Sequence, residues 1–166
     1  MGSGKTTLGK ELAQHFKRVF IDTDTEISKL TGKTIQQIFT VQGEAAFREL
    51  ELQLLKQIIT SNSKAVVALG GGTVCNEENL ELLKKNGLLV YIQLPATELA
   101  HRLENQSSER PLLAGLRGEA LLAAIEQKLT ERNPFYESAA IMVNGINLSA
   151  ELLYRIICAS CERQDT

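Results

Sequence analysis

The opening residues, Met1-Gly2-Ser3-Gly4-Lys5-Thr6-Thr7, set the tightest limit on what this chain can fold into. Gly4, Lys5 and Thr6 fill the last three places of the pattern G-x-x-x-x-G-K-[ST], a phosphate-binding loop that follows a buried strand and opens a helix. Small residues at Gly2, Ser3 and Gly4 let successive backbone N–H groups turn toward a phosphate, and the helix start adds its positive dipole end. Lys5 is placed to reach β- and γ-phosphates, the Thr6 hydroxyl to ligate Mg²⁺, and Thr7 to carry the loop into the helix. The pattern's first glycine would lie two residues before Met1, so the loop is represented by its second half and the strand before it is absent. A flexible Gly/Ser leader ahead of an ordinary helix would use the same residues, so the rest of the chain has to decide.

Beyond the loop, short apolar runs alternate with helical patterns. Leu8, Leu12, Ala13 and Phe16 recur at helical spacing, and Val19-Phe20-Ile21 is too short for a helix. Thr23-x-x-Glu26 predicts a capping box opening a helix that stops at Gly32. Gly43 precedes a long amphipathic helix carrying Phe47, Leu50, Leu54, Leu55, Ile58 and Ile59 on one face. A strand over 65–69 ends in Gly70-Gly71-Gly72. A helix over 77–86, a strand over 88–94 and a helix over 97–104 follow. A polar stretch around Arg110-Pro111 breaks the periodicity. A helix from about Glu119 is expected to stop at Arg132, before Pro134. A strand over 141–143 and a helix opened by Ser149 complete the chain. This alternation implies an α/β domain with a parallel sheet covered on both faces, in one domain spanning residues 1–166.

The composition excludes several classes. Hydrophobic residues make up 43% and the net charge is −2, which argues against disorder and against a broad nucleic-acid-binding surface. No apolar run approaches the length of a membrane span, and no signal-peptide core is present. Cys75, Cys158 and Cys161 are an odd set of ordinary thiols, and Cys158-x-x-Cys161 has no second pair to complete a zinc site. A cytoplasmic protein is expected. His15 and His101 fall apart in helical patterns and read as surface residues.

In parallel sheets ligands bind beyond the carboxyl ends of the strands. Asp22 and Asp24 follow the strand at 19–21 and face one cleft if the extended conformation continues. One carboxylate then serves Mg²⁺ through water, and the other accepts a proton from a substrate hydroxyl. Asp24 could instead be a first-turn charge favoured by the helix dipole. Gly70, Gly71 and Gly72 would let a ligand approach the backbone, or form a loose turn. Arg48 lies at the edge of an apolar helix face, with Glu44 at i−4 as its bland partner. Arg132 could complement a helix dipole, and Arg110 could be a solvated loop charge. Beside a phosphate loop and paired carboxylates, the three arginines together favour an anionic substrate.

Gly2-Ser3-Gly4-Lys5-Thr6-Thr7, Phe20-Ile21-Asp22-Thr23-Asp24, Gly43-Glu44-x-x-Phe47-Arg48-x-x-Glu51, Gly70-Gly71-Gly72, Arg110-Pro111-Leu112-Leu113 and Arg132-x-Pro134-x-Tyr136 occur in this order. Together they resemble the shikimate kinases over most of the chain. The resemblance implies ATP-dependent phosphorylation of the shikimate 3-hydroxyl, giving shikimate 3-phosphate and ADP in chorismate and aromatic amino acid synthesis. It implies a nucleoside monophosphate kinase-like, three-layer α/β/α fold of sheet order 2-3-1-4-5, here without strand 1. By position, Asp24 would be the base, and Lys5 and Arg110 would act on the phosphates. Gly2 to Thr7 with Arg102 would bind ATP, and Thr6 and Asp22 would serve Mg²⁺. Asp24, Arg48, Gly70, Gly71, Gly72 and Arg132 would bind shikimate, the two arginines at its carboxylate. Phe39, Phe47 and Glu51 would wall and support the pocket. The substrate-binding region would span about 23–60 and a lid about 104–118. The partners implied are shikimate and ATP alone, bound by a monomer, with neither nucleic acid nor membrane.

The chain departs from the family pattern in three places. Arg102 stands one position off the expected lid spacing. The loop after the last strand shortens to Asn144-Gly145-Ile146-Asn147, which leaves the adenine contacts unassigned. The absent first strand implies a misassigned or trimmed start, or else a genuinely short chain that is a weakened or inactive kinase. Other readings stay open at this point: a gluconate or nucleotide kinase of the same fold, or a binding module without turnover.

Overall fold

The computed structural model describes residues 2–61, 64–104 and 115–163. Helix α1 (Lys5–His15) begins directly after Gly4, whose φ of 82° lies in the left-handed region that only glycine enters without strain. Strand β1 (Val19–Asp22) then leads into α2 (Thr23–Thr31) and α3 (Ile35–Thr60). Gly43 interrupts α3 with φ 83° and ψ 172°, so the expected long helix after Gly43 is preceded by a shorter one, capped by a Thr34/Gln37 box. Strand β2 (Ala65–Ala68), a single 3₁₀ turn (Thr73–Cys75) and α4 (Glu77–Asn86) follow. The remaining elements are β3 (Val90–Gln93), α5 (Ala96–Glu104), α6 (Gly118–Tyr136), β4 (Ile141–Asn144) and α7 (Ala150–Glu162).

All observed strand pairing is parallel, as the strand–helix alternation predicts. β1 pairs with β2 from Val19↔Ala65 to Asp22↔Ala68, and β3 pairs with β4 from Val90↔Ile141 to Gln93↔Asn144. Among the described residues no strand joins the two pairs. The order 2-3-1-4-5 without its strand 1 leaves a 2-3 pair and a 4-5 pair, and these are the pairs present. Leu89 C=O accepts from Ile141 N–H at 3.2 Å and Gln93 C=O from Gly145 N–H at 2.8 Å. The alternation of a parallel ladder therefore turns the backbone groups of Val90 and Ile92 away from β4. They face an apolar cavity of about 100 Å³, whose lining includes Leu69, Leu89, Val90 and Ile92 together with Ser3 and Lys5 of the phosphate loop.

Helices hold the two strand pairs in one body. Leu12 of α1, Ile141 and Val143 of β4, and Leu153 and Ile157 of α7 form one buried cluster, joined by Val66 of β2 and by Val90 and Ile92 of β3. A second cluster packs Ile27 of α2 against Ile38, Phe47 and Leu54 of α3. A third packs Leu99 and Ala100 of α5 against Leu121 and Ile125 of α6.

Two expectations fail locally. Asp22, not Thr23, caps α2, because the carboxylate at the strand end accepts from Thr25 N–H at 3.1 Å. Thr23 is thereby freed to bury its hydroxyl. Helix α6 does not stop at Arg132 but runs through Pro134 to Tyr136. The proline falls in the last turn, where few intrahelical bonds remain to be lost, and Glu137 N–H to Asn133 C=O at 2.8 Å closes the turn beyond it.

Candidate active site

The phosphate loop lies against α5. A Cβ on Gly2 would sit 3.2 Å from Leu103 Cγ, and Gly2 has φ 60°, so the close approach and the backbone both call for glycine. Gly4 provides no side-chain acceptor for the first N–H groups of α1, which leaves them to a phosphate. The Thr6 hydroxyl donates to Asp22 Oδ2 at 2.8 Å, while Asp22 Oδ1 accepts from the Thr25 N–H and hydroxyl. The loop and the end of β1 thus bring together two hard oxygen ligands of the kind Mg²⁺ takes. No group of three or more His, Cys, Asp or Glu side chains gathers for a metal among the described residues. A divalent ion held here would therefore need phosphate oxygens and water as well, which is the usual manner of Mg²⁺ in phosphoryl transfer.

The triple-glycine turn follows β2 and is pinned by Thr23, whose hydroxyl donates to Ala68 C=O at 3.3 Å and accepts from Gly70 N–H at 3.1 Å. A Cβ on Gly70 would stand 3.0 Å from oxygens of Asp24, Glu51 and Thr73. One on Gly72 would stand 2.4 Å from Arg48 Nη2. These glycines make room for functional groups rather than for unusual backbone angles. The extended conformation ends at Asp22, so Asp22 and Asp24 do not alternate along a strand as expected. Asp24 occupies the first turn of α2 and still turns its carboxylate to the glycine turn, so the dipole role and the cleft role coexist.

Gly72→Ala tests this packing. The group it strikes is the far end of a flexible side chain, so the melting temperature should change little while Arg48 moves. Misplacement by about 1 Å can cost up to about 10²-fold in activity. We expect KM for the anionic substrate to rise with the nucleotide KM unchanged, checked by steady-state kinetics beside a thermal melt.

Arg48 lies over the Phe47 ring, 5.3 Å from its centroid, and donates to Glu44 at 2.7 Å and to Glu51. Phe47 belongs to the core cluster and packs on Phe39, ring centroids 4.8 Å apart. Glu51 is 1% exposed and also accepts from the Thr73 hydroxyl. Burial pushes its carboxyl above the usual range, outweighing the Thr73 hydrogen bond and the Arg48 charge that favour ionisation. Folded Glu51 thus keeps its proton to higher pH than unfolded Glu51. Its contribution to stability is complete below the unfolded value and is lost as pH rises through the folded one. Native stability minus that of Glu51→Gln, from urea unfolding across pH, should decrease over that interval. A difference that increases with pH would mean Glu51 is held ionised.

Helix α6 supplies the opposite wall. Arg132 is 9% exposed, and Tyr136, one turn on, donates its hydroxyl to Gly71 C=O. The positive charge of the Arg132 guanidinium acts on the same phenol and favours its ionised form. The charges of both Arg48 and Arg132 act on the Tyr136 phenol and on the Cys75 thiol. Burial still pushes the Cys75 thiol up against those two charges, so it remains a thiol.

Asp24, Arg48, Gly70, Gly71, Gly72 and Arg132 therefore converge, with Lys5 and the loop at the end of the adjoining cavity. Arg102 is paired with Glu98 at 2.7 Å within α5. Arg110 and most of the expected lid lie outside the described residues. Sequence reasoning gave Thr23 only a capping role, quoted Tyr136 as a motif position without a function, and did not single out Thr73. A threonine beside a glycine run or an aspartate reads as a turn or cap residue, and the position of Tyr136 one helical turn after Arg132 was the signal that could have given it a role.

A family model described as shikimate kinase matches residues 1–161. A shikimate kinase of Parabacteroides distasonis is 40% identical over 151 residues, covering 91% of this chain and 87% of that protein. One from Prosthecochloris aestuarii is 45% identical over 147 residues, covering 86% and 74%. Among solved structures, the crystal structure of shikimate kinase from Bacteroides thetaiotaomicron superposes with TM-score 0.90 at 34% identity, covering 98% of this chain and 94% of that one. Shikimate kinase from Acinetobacter baumannii, solved in complex with shikimate, gives 0.84 at 34% identity, covering 99% and 89%.

Proposed function

The chain belongs to the shikimate kinase family, phosphorylating shikimate at its 3-hydroxyl with ATP as co-substrate, and from that premise we propose how its own residues divide the work. The observation that carries the assignment is the convergence of Asp24, Arg48 and Arg132 on the glycine turn, at the end of a cavity that also meets Lys5. Arg48 and Arg132 take the carboxylate of shikimate, where planar guanidinium forks match two oxygens. Gly70, Gly71 and Gly72 lie against the ring. Asp24 accepts the proton of the 3-hydroxyl as that oxygen bonds to the γ-phosphorus and the bond to the β-bridging oxygen breaks, releasing ADP.

The nucleotide phosphates rest on Gly2 to Thr7, and Lys5 places its charge where negative charge shifts during transfer. Such reactions depend mainly on positioning and charge stabilisation. Mg²⁺, when bound, supplies positive charge at the phosphate oxygens, and Thr6 and Asp22 are the residues that would hold it, Asp22 through water. A monomer in the cytoplasm, binding neither nucleic acid nor membrane, fits the net charge of −2 and the three free cysteines. Among the described residues no helix is long and apolar enough to cross a membrane.

A coupled ADP-release assay with shikimate, quinate, gluconate and nucleoside monophosphates tests the reading. Turnover should be confined to shikimate or greatly favour it. Faster turnover of gluconate or of a nucleoside monophosphate would overturn it.

A further inference from the structure

Tyr136 stands between two parts of the substrate pocket that come from different elements. Its hydroxyl donates to the carbonyl of Gly71, in the turn after β2, and its phenol feels the charge of the buried Arg132 guanidinium, one turn back on α6. The i, i+4 spacing puts both side chains on the same face of that helix. Helix α6 packs on α5 and on the 3₁₀ turn at Thr73–Cys75, while the glycine turn is anchored to α2 through Thr23. We propose that Tyr136 is a positioning residue for shikimate binding: its single oxygen fixes the separation between the glycine turn and the Arg132 guanidinium, and so the width of the pocket at the substrate carboxylate.

The chemistry suits the task. A phenol can donate one hydrogen bond and accept another at the same atom, which neither phenylalanine nor a protonated amine can do. Burial raises the Tyr136 phenol, so the donated proton stays in place at any working pH. The ring is itself held, lying 5.0 Å from Tyr91 between ring centroids, and the Tyr91 hydroxyl donates to Asn133 at 3.3 Å. Tyr136→Phe keeps that packing and removes only the bridge. Gly71 C=O then loses its donor, and the polar oxygen beside the Arg132 guanidinium is gone.

The proposal rests on the assignment of Arg132 to the carboxylate, and the experiment separates the two. Shikimate and ATP affinities are measured by calorimetry for the native chain, Arg132→Ala, Tyr136→Phe and the double variant, with Tyr91→Phe as the packing control. Leaving one buried hydrogen-bonding group unsatisfied corresponds to roughly 5- to 150-fold. Tyr136→Phe should weaken shikimate binding by about that factor and leave ATP affinity unchanged. Tyr91→Phe should alter neither. The double variant should bind shikimate within about twofold of Arg132→Ala alone, because a residue acting through another adds little once the other is gone. Additive losses, a parallel loss of ATP affinity, or unchanged shikimate affinity in Tyr136→Phe would overturn the positioning role while Arg132→Ala still weakens binding. If Arg132→Ala itself binds shikimate normally, the carboxylate assignment falls and the proposal with it.

Discussion

Asp24→Asn should lower kcat by roughly 10²- to 10⁴-fold while ATP affinity stays nearly constant. The amide preserves the size of the side chain and its approach to the glycine turn, where Asp24 Oδ1 lies 3.0 Å from the Cβ position of Gly70. It removes the ability to take a proton. The substitution also removes a favourable charge from the first turn of α2, at a cost of about 0.3–1 kcal/mol, too little to unfold the protein. A drop in kcat without a matching drop in melting temperature is therefore the expected signature. A turnover number close to native would deny Asp24 the role of essential base and leave it a contact that orients the hydroxyl.

The carboxylate clamp should respond in the opposite parameter. Arg48→Ala and Arg132→Ala should each weaken shikimate binding by roughly 30- to several-thousand-fold, since removing one partner of a buried, hydrogen-bonded charge pair costs about 2–5 kcal/mol. ATP affinity should be spared. The two variants should differ in stability. Arg48→Ala leaves Glu51, 1% exposed, without its guanidinium, and the buried carboxyl would then hold its proton more tightly still. Arg48→Lys should recover only part of the affinity, because an ammonium cannot present the fork that reaches Glu44, Glu51 and a ligand together. Unchanged shikimate affinity in both alanine variants would remove the clamp.

Much of this arrangement was legible before the structure because each signal had a local cause. The loop at Gly2 to Thr7 needs small residues wherever it occurs, and the strand–helix alternation fixes a parallel sheet through short-range patterning alone. What stayed hidden were contacts set by tertiary packing. Thr23 in a capping pattern gives no sign that its hydroxyl will reach a turn almost fifty residues later, and Asp22 took the cap because the strand ended at that residue. Pro134 read as a stop because propensity ignores how little of α6 remained to be disrupted. Arg48 was visible as a candidate together with Glu44. That Glu51 and Thr73 would complete its surroundings depended on the glycine turn arriving from another strand.

The bond between Tyr136 and Gly71 has a mechanical consequence. Asp24, Arg48 and the glycine turn are carried by α2, α3 and the segment after β2, whereas Arg132 is carried by α6, packed on α5 and on the 3₁₀ turn. The Tyr136–Gly71 bond joins these two jaws of the clamp as a latch. A ligand gripped by both jaws would serve as a second latch. Shikimate should then slow amide exchange in the glycine turn and in the last turn of α6 together.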